Sequence, residues 1–227
     1  MAPPIPAATV VILKDSENVE QGVEVLMLRK NSKIAFGGMW VFPGGRIDAE
    51  DYPADGDLDV AARNAAARET LEEAGLTTAV DDFVLFSHWT PPATTPKRFA
   101  TWFFATRTDS DAPVTIDHGE ILDHLWMSPA DALARHKAGE IDLAPPTWLT
   151  LYHLSLNGAG ESIMAHFNSQ PHKVYETRVV KNQAGMRVAL WRGDAGYESA
   201  DPDVDGARHR LVLAESGFVF ENTHEIY

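Results

Sequence analysis

The chain is predicted to adopt an α/β fold, a mixed β-sheet with helices packed on it, followed by a C-terminal α+β extension. Two patterns predict this. Short runs rich in Val, Ile and Leu alternate with one long Ala-rich stretch of helix formers, the order expected when helices cover a sheet. Beyond about residue 140, short helical and strand-like segments follow one another without a long element. Of the 227 residues, 44% are hydrophobic and 23% charged, so a sizeable core can be buried and disorder is excluded. The expected division is a core over residues 1–140 and an extension over residues 141–227.

Taken in order, Ala7 to Leu13 and Val23 to Leu28 form a hairpin, joined through the polar stretch Asp15-Ser-Glu-Asn18. A Gly-rich crossing from Phe36 to Gly45 follows. The next loop is rich in Asp and Glu, carries Pro53 and Gly56, and is expected to be exposed. Leu58 to Ala74 is the clearest helix, with Asp57 as N-cap and Gly75 at its C-terminal stop. Strands are expected over Phe83 to Trp89, Phe99 to Thr106 and Ile121 to Met127, the last preceded by an acidic connection, Asp117 to Glu120. Ser128 caps a short helix that Pro129 opens. Two more helices fall near Thr147 to Leu156 and Glu161 to Asn168. Lys173 to Lys181, Met186 to Trp191, His209 to Ala214 and Phe218 to Phe220 alternate in the manner of strands.

With 19 Lys and Arg against 33 Asp and Glu, the net charge of −14 argues against a nucleic-acid polymer as partner. No Cys is present, which excludes disulfides, thiolate-bound zinc and thiol catalysis, and a cytoplasmic location is compatible. The Pro-rich start, Met1-Ala-Pro-Pro-Ile-Pro6, is unlike a secretory signal. Leu143 to Gly160 is uncharged but broken by Pro145 and Pro146, so no membrane span is expected. Asp201-Pro-Asp-Val-Asp-Gly206 begins like a calcium loop, but Val212 stands where the bidentate Glu is needed. Zinc-protease, P-loop and nucleophile-elbow motifs are absent from the sequence.

The chemistry concentrates on the long helix. Glu69, Glu72 and Glu73 stand at i, i+3 and i+4, so three carboxylates project within one turn. Val60, Ala67, Leu71 and Ala74 are expected to form the apolar face that packs on the sheet, leaving the acidic stripe outward. Clustered like charges oppose folding, and Mg²⁺ or Mn²⁺ would compensate them with a preference for carboxylate oxygen. A solvated acidic face paired with Arg63 and Arg68 is the competing reading of these residues alone.

Phe42-Pro-Gly-Gly45 followed by Arg68-Glu-Thr-Leu-Glu-Glu-Ala-Gly-Leu76 resembles the Nudix hydrolases. Their box runs Gly, five residues, Glu, seven residues, then Arg-Glu-hydrophobic-x-Glu-Glu-x-Gly-hydrophobic. Gly45 takes the first Gly, and Arg68, Glu69, Glu72, Glu73, Gly75 and Leu76 take the second half in register. The chain departs from the pattern with Asp51 in place of Glu, Thr70 in place of a hydrophobic residue, and sixteen residues between Asp51 and Arg68. The last is a nine-residue insertion, placed at about residues 49–57. Leu28-Arg-Lys30, Phe36 to Asp48, Trp89-Thr-Pro91 and Arg98 to Phe104 are also similar to the peroxisomal coenzyme A diphosphatase branch, although Glu225-Ile-Tyr227 is not a Ser-Lys-Leu address.

The resemblance implies a Nudix-type α/β/α sandwich and metal-dependent hydrolysis of a small nucleoside diphosphate derivative, coenzyme A-like in the narrower match. It assigns Glu69, Glu72 and Glu73, with the Gly45 carbonyl, to Mg²⁺ or Mn²⁺, and Arg68 to orienting Glu69. Glu120 is the candidate base on a later loop; a solvated carboxylate beside Asp117 and Asp123 is the equal alternative. Arg98, together with Lys97, could meet phosphate, and Trp89, Trp102 or Phe104 could stack on a base, although strand aromatics are more often core. A non-catalytic module that binds a nucleotide or a protein is the reading from another class, and a homodimer is the default assembly.

Overall fold

The computed structural model describes residues 3–16, 22–33, 35–156, 158–214 and 216–223. Glu17 and Asn18 of the stretch expected to turn the first hairpin, and the C-terminal tripeptide, lie outside the described residues. The chain divides into two compact units, one of Pro6–His88 and Thr101–Lys173, the other of Met1–Ile5, Trp89–Ala100 and Val174–Tyr227.

In the larger unit, β1 (Ile5–Asp15) pairs antiparallel with β2 (Val23–Lys30), Leu13 opposite Val25. Two short strands from the Gly-rich crossing, β3 (Trp40–Val41) and β4 (Gly44–Arg46), add to β2 and β1 respectively. Asp57 then caps α1 (Leu58–Ala74), its carboxylate accepting from the N–H groups of Asp59 and Val60, and Gly75 ends the helix at φ 67°. Strands β5 (Val84–Thr90), β6 (Phe99–Arg107) and β7 (Ile121–Met127) follow, β7 running antiparallel to β2. Ile5 N donates to Arg98 O and Thr108 N to Leu13 O, so β1 and β6 advance in the same direction and the sheet is mixed. Its main path is β3-β2-β1-β6-β5.

Of the four residues expected to pack on this sheet, Ala74 is buried and Ala67 packs against the core, but the buried face of α1 is centred away from Val60 and Leu71. Ala61, Ala62, Ala65 and Ala66 are fully buried against Val10, Ile12, Leu26 and Leu28, whereas Leu71 is 54% exposed and Val60 also faces water. Small side chains let the helix backbone approach the sheet, and enlarging one of them would cost about 1–3 kcal/mol. Glu69 and Glu73 continue the line of Ala62 and Ala66 and point inward along the same face, whereas Glu72 is exposed. Thr70, expected on a flank, is fully buried, and its hydroxyl donates to Ala66 O at 2.7 Å.

Three more helices belong to this unit: α2 (Pro129–Lys137), capped by Ser128, α3 (Pro145–Ser155) and α4 (Gly160–Ser169). They displace the division expected at residue 140. Trp40 N donates to Asp142 O, and α3 buries Trp148, Leu149, Leu151 and Leu154, so residues 141–173 are integral to the larger unit. Among the described residues, no helix is long and apolar enough to cross a membrane.

The smaller unit contains β8 (Lys173–Glu176), β9 (Arg178–Lys181), β10 (Arg187–Leu190), β11 (His209–Ala214) and β12 (Gly217–Asn222). The last four form an antiparallel sheet ordered β12-β11-β10-β9. Trp89 stacks on Tyr175 at 3.8 Å, and Trp191 meets both edge-on. Asp194 and Arg210 form a buried two-pronged ion pair, with both N–O distances 2.6 Å. In the calcium-like loop, Asp201 accepts from Asp203 N and Asp203 from Gln183 N, which are turn contacts.

Candidate active site

Three segments of the larger unit converge on the last turn of α1. The first is the β3–β4 crossing. A Cβ on residue 44 would collide with the Ala8 carbonyl, and one on residue 45 with the Glu69 carboxylate, so Gly44 fits closely against β1 and Gly45 sets bare backbone against the helix. Gly44 N donates to Glu73 at 3.0 Å.

The second segment is the acidic loop before the helix. It was expected to be exposed, yet Asp51 is only 4% exposed. It closes a short 3₁₀ turn (Ala49–Asp51), accepting from Asp48 N at 2.8 Å, and grips Arg68 with both oxygens at 3.0 Å. Burial of a carboxylate requires a partner, and Arg68 supplies it in bidentate form. Arg68 also reaches Glu69 at 3.0 Å, Glu72 at 3.2 Å and the Arg46 carbonyl at 3.0 Å. The Asp51 hydrogen bonds, joined by Glu69, hold its guanidinium above its ordinary pKa.

The third is the end of β2 with the loop before β7. Lys30 is buried on the face shared with Leu26 and Leu28, and its ammonium is bonded to Glu73. Asn31 N donates to Glu120 O at 2.7 Å, while Asp117 accepts from the N–H groups of Glu120 and Ile121 at 2.7 and 2.8 Å. This turn sets the Glu120 carboxylate 3.6 Å from the Lys30 ammonium.

Burial pushes Glu73 up to about 7, against the opposing pull of Lys30 and the Gly44 N–H. Glu69 is raised by the same desolvation, countered by Arg68. For Lys30, burial alone would lower the pKa, but Glu73, with Glu120 and Glu69, leaves it above its ordinary value.

The donor chemistry suits a hard divalent cation. Three carboxylates stand on one helical turn, two of them, Glu69 and Glu73, beside the Gly44–Gly45 backbone, and all offer oxygen ligands. Among the described residues, no three Asp, Glu or His side chains converge on a single cation position; Glu69 and Glu72 share the Arg68 guanidinium, and Glu73 is bonded to Lys30.

The structure thus brings Gly45, Arg68, Glu69, Glu72, Glu73 and Glu120 into one neighbourhood. Phe104 is a correction: its ring is fully buried, 5.8 Å from Phe83 and under the Arg63 guanidinium, so no surface remains for a ligand. Trp102 packs on the same core and against His88 at 4.4 Å. Arg98 belongs to the smaller unit, where its carbonyl accepts from Ile5 N. Lys30 is the residue that sequence reasoning passed over. Its period-two spacing from Leu26 and Leu28 marks it as inward-facing, which is the signal that could have found it.

The family model described as NUDIX domain matches residues 3–147. The chain belongs to the NUDIX family. The NUDIX match extends into α3, in keeping with a larger unit that continues past residue 140. A Caenorhabditis elegans protein provisionally named nudix hydrolase 7 is 25% identical, over 58% of this chain and 55% of its own length. The chain thus spans about half the length of that relative. Among solved structures, a NUDIX hydrolase from Alicyclobacillus acidocaldarius superposes with a TM-score of 0.64 at 25% identity, covering 73% of this chain and 97% of that one. The NUDIX domain of Shewanella oneidensis NrtR, solved with ADP ribose, shares the fold at a TM-score of 0.51 and 18% identity, covering 69% and 88%.

Proposed function

We propose that this chain is a hydrolase that uses Mg²⁺ or Mn²⁺ to cleave the pyrophosphate bond of a small nucleoside diphosphate derivative, coenzyme A or a relative of it in the narrower form. The observation that carries the reading is the braced carboxylate turn: Glu69 and Glu73 set over the Gly44–Gly45 backbone and Glu72 paired with Arg68, which buried Asp51 locks. The coenzyme A preference rests on Leu28 to Lys30 and Phe36 to Asp48.

Glu69, Glu72, Glu73 and the Gly45 carbonyl would hold the cation. A bound divalent cation supplies charge neutralisation at the pyrophosphate and a lowered pKa for a water molecule. Arg68 fixes Glu69 in one orientation, because its other edge is occupied by Asp51. Glu120, which is exposed, is assigned as the base that takes a proton from the attacking water onto its carboxylate. Arg98 is assigned to substrate phosphate and Trp102 to the base or its appendage. Glu73→Gln should abolish metal-dependent turnover and leave the folded far-ultraviolet spectrum unchanged; near-normal turnover sinks the assignment.

One observation favours the binding-module reading, in which nothing is hydrolysed: Glu73 is already bonded to a protein cation. Detectable turnover that depends on added metal separates the two.

A further inference from the structure

We propose that Lys30 is a tethered counter-ion for the acidic helix, holding Glu73 in the metal-free protein and passing to Glu120 when a divalent cation takes that carboxylate. This rests on the reading of Glu69, Glu72 and Glu73 as cation ligands. Both oxygens of Glu73 are engaged, Oε1 by the Lys30 ammonium and Oε2 by Gly44 N at 3.0 Å. Each oxygen keeps a second acceptor site, so a cation can share the carboxylate with the Gly44 N–H, but beside the Lys30 ammonium it would set two cations on one carboxylate. The Gly44 N–H belongs to backbone laid against β1, with Gly44 opposite Thr9, and cannot withdraw without disturbing the sheet. The Lys30 main chain is equally fixed, its N–H donating to Met39 O and its carbonyl accepting from Gly38 N, both at 3.0 Å. Its side chain is different: four rotatable bonds let the ammonium move while the backbone stays.

A place for it to go is already built. Glu120 Oε2 lies 3.6 Å from Nζ, and the Glu120 side chain is 63% exposed against 4% for Glu73. The displaced ammonium therefore moves from a closed partner to an open one and regains water. Repulsion between a divalent cation and an ammonium sharing one carboxylate drives the transfer. Without Lys30, the metal-free protein would bury the Glu73 carboxylate with only the Gly44 N–H to satisfy it.

Lysine footprinting reads this directly. The full chain is treated with an acetylating ester with and without Mg²⁺, and each lysine is quantified by mass spectrometry, exposed Lys33 serving as the internal reference. In the absence of metal, Lys30 labels slowly; with Mg²⁺ its rate relative to Lys33 rises about tenfold, the change expected when one charge-assisted hydrogen bond is given up. Glu73→Gln, checked for retained helix content, labels fast at Lys30 with or without Mg²⁺. Calorimetric Mg²⁺ binding while Lys30 stays protected overturns this proposal alone, and so does a folded Glu73→Gln variant in which Lys30 stays protected. Absence of Mg²⁺ binding overturns both this proposal and the reading beneath it.

Discussion

Asp51 and Arg68 face each other fork to fork, Nε to Oδ1 and Nη2 to Oδ2, each at 3.0 Å, across a loop of sixteen intervening residues. The insertion in the box leaves this contact intact. Residues 52–56 connect the 3₁₀ turn to the Asp57 cap, and both ends of that connection are anchored. Asp51→Ala should destabilise the fold by about 3 kcal/mol, the lower end for a broken buried pair, because the guanidinium is partly exposed. Urea unfolding measures this. Shortening the loop between Pro53 and Gly56 should matter much less, and equal losses from the two changes would count against the anchor.

Gly45→Ala places a methyl group in the position of the Glu69 carboxylate. The helix itself is untouched, so the melting temperature should change little while kcat falls about 100-fold through misplacement of one ligand. Comparing kcat with the thermal midpoint checks it; a variant that keeps full activity shows that Glu69 does not depend on that backbone.

In the smaller unit, Asp194 gives a pH dependence with a defined sign. Burial alone would raise its pKa, but Arg210 and the N–H groups of His209 and Gly196 outweigh that and hold it below the ordinary 3.8. A carboxylate whose folded-state pKa is depressed stabilises the fold above its unfolded value, and that contribution is lost as pH falls through the folded one. Stability should therefore drop below about pH 4, and Asp194→Asn should lose about 3–5 kcal/mol at pH 7 and flatten the acid limb. Thermal unfolding from pH 7 to 2.5 tests this, and an unchanged acid limb in the variant removes Asp194 from the account.

Arg98→Ala should raise KM more than it lowers kcat if the guanidinium meets substrate phosphate. Steady-state kinetics decides: a loss confined to kcat, or no change, removes Arg98 from substrate binding.

Much of this was legible in the sequence because local rules wrote it. Asp57, Gly75, Ser128 and Pro129 mark helix ends through single side-chain and backbone effects, and continuous apolar runs mark β1 and β2, which are buried on both faces. Which face of α1 turns inward was not legible, because apolar bulk pointed to Val60 and Leu71 while the sheet selects small residues for close approach. Asp51 was hidden for a related reason: a carboxylate in an acidic loop reads as solvated until the Arg that buries it is placed in space. Phe104 followed the strand rule, core before ligand. Lys30 could have been placed inward by its register with Leu28, but its partner Glu73 lies 43 positions away and only the fold brings the two together.

Product analysis by mass spectrometry tests metal-dependent hydrolysis most directly. The purified protein is incubated with Mg²⁺ or Mn²⁺ and a panel holding coenzyme A, ADP-ribose, NADH and dinucleoside polyphosphates, beside a Glu72→Gln, Glu73→Gln double variant. Cleavage of at least one compound at its pyrophosphate is expected, dependent on added metal and absent in the variant. Cleavage that persists in the variant or without metal, or no cleavage of any compound by a protein shown to bind the metal, would contradict it.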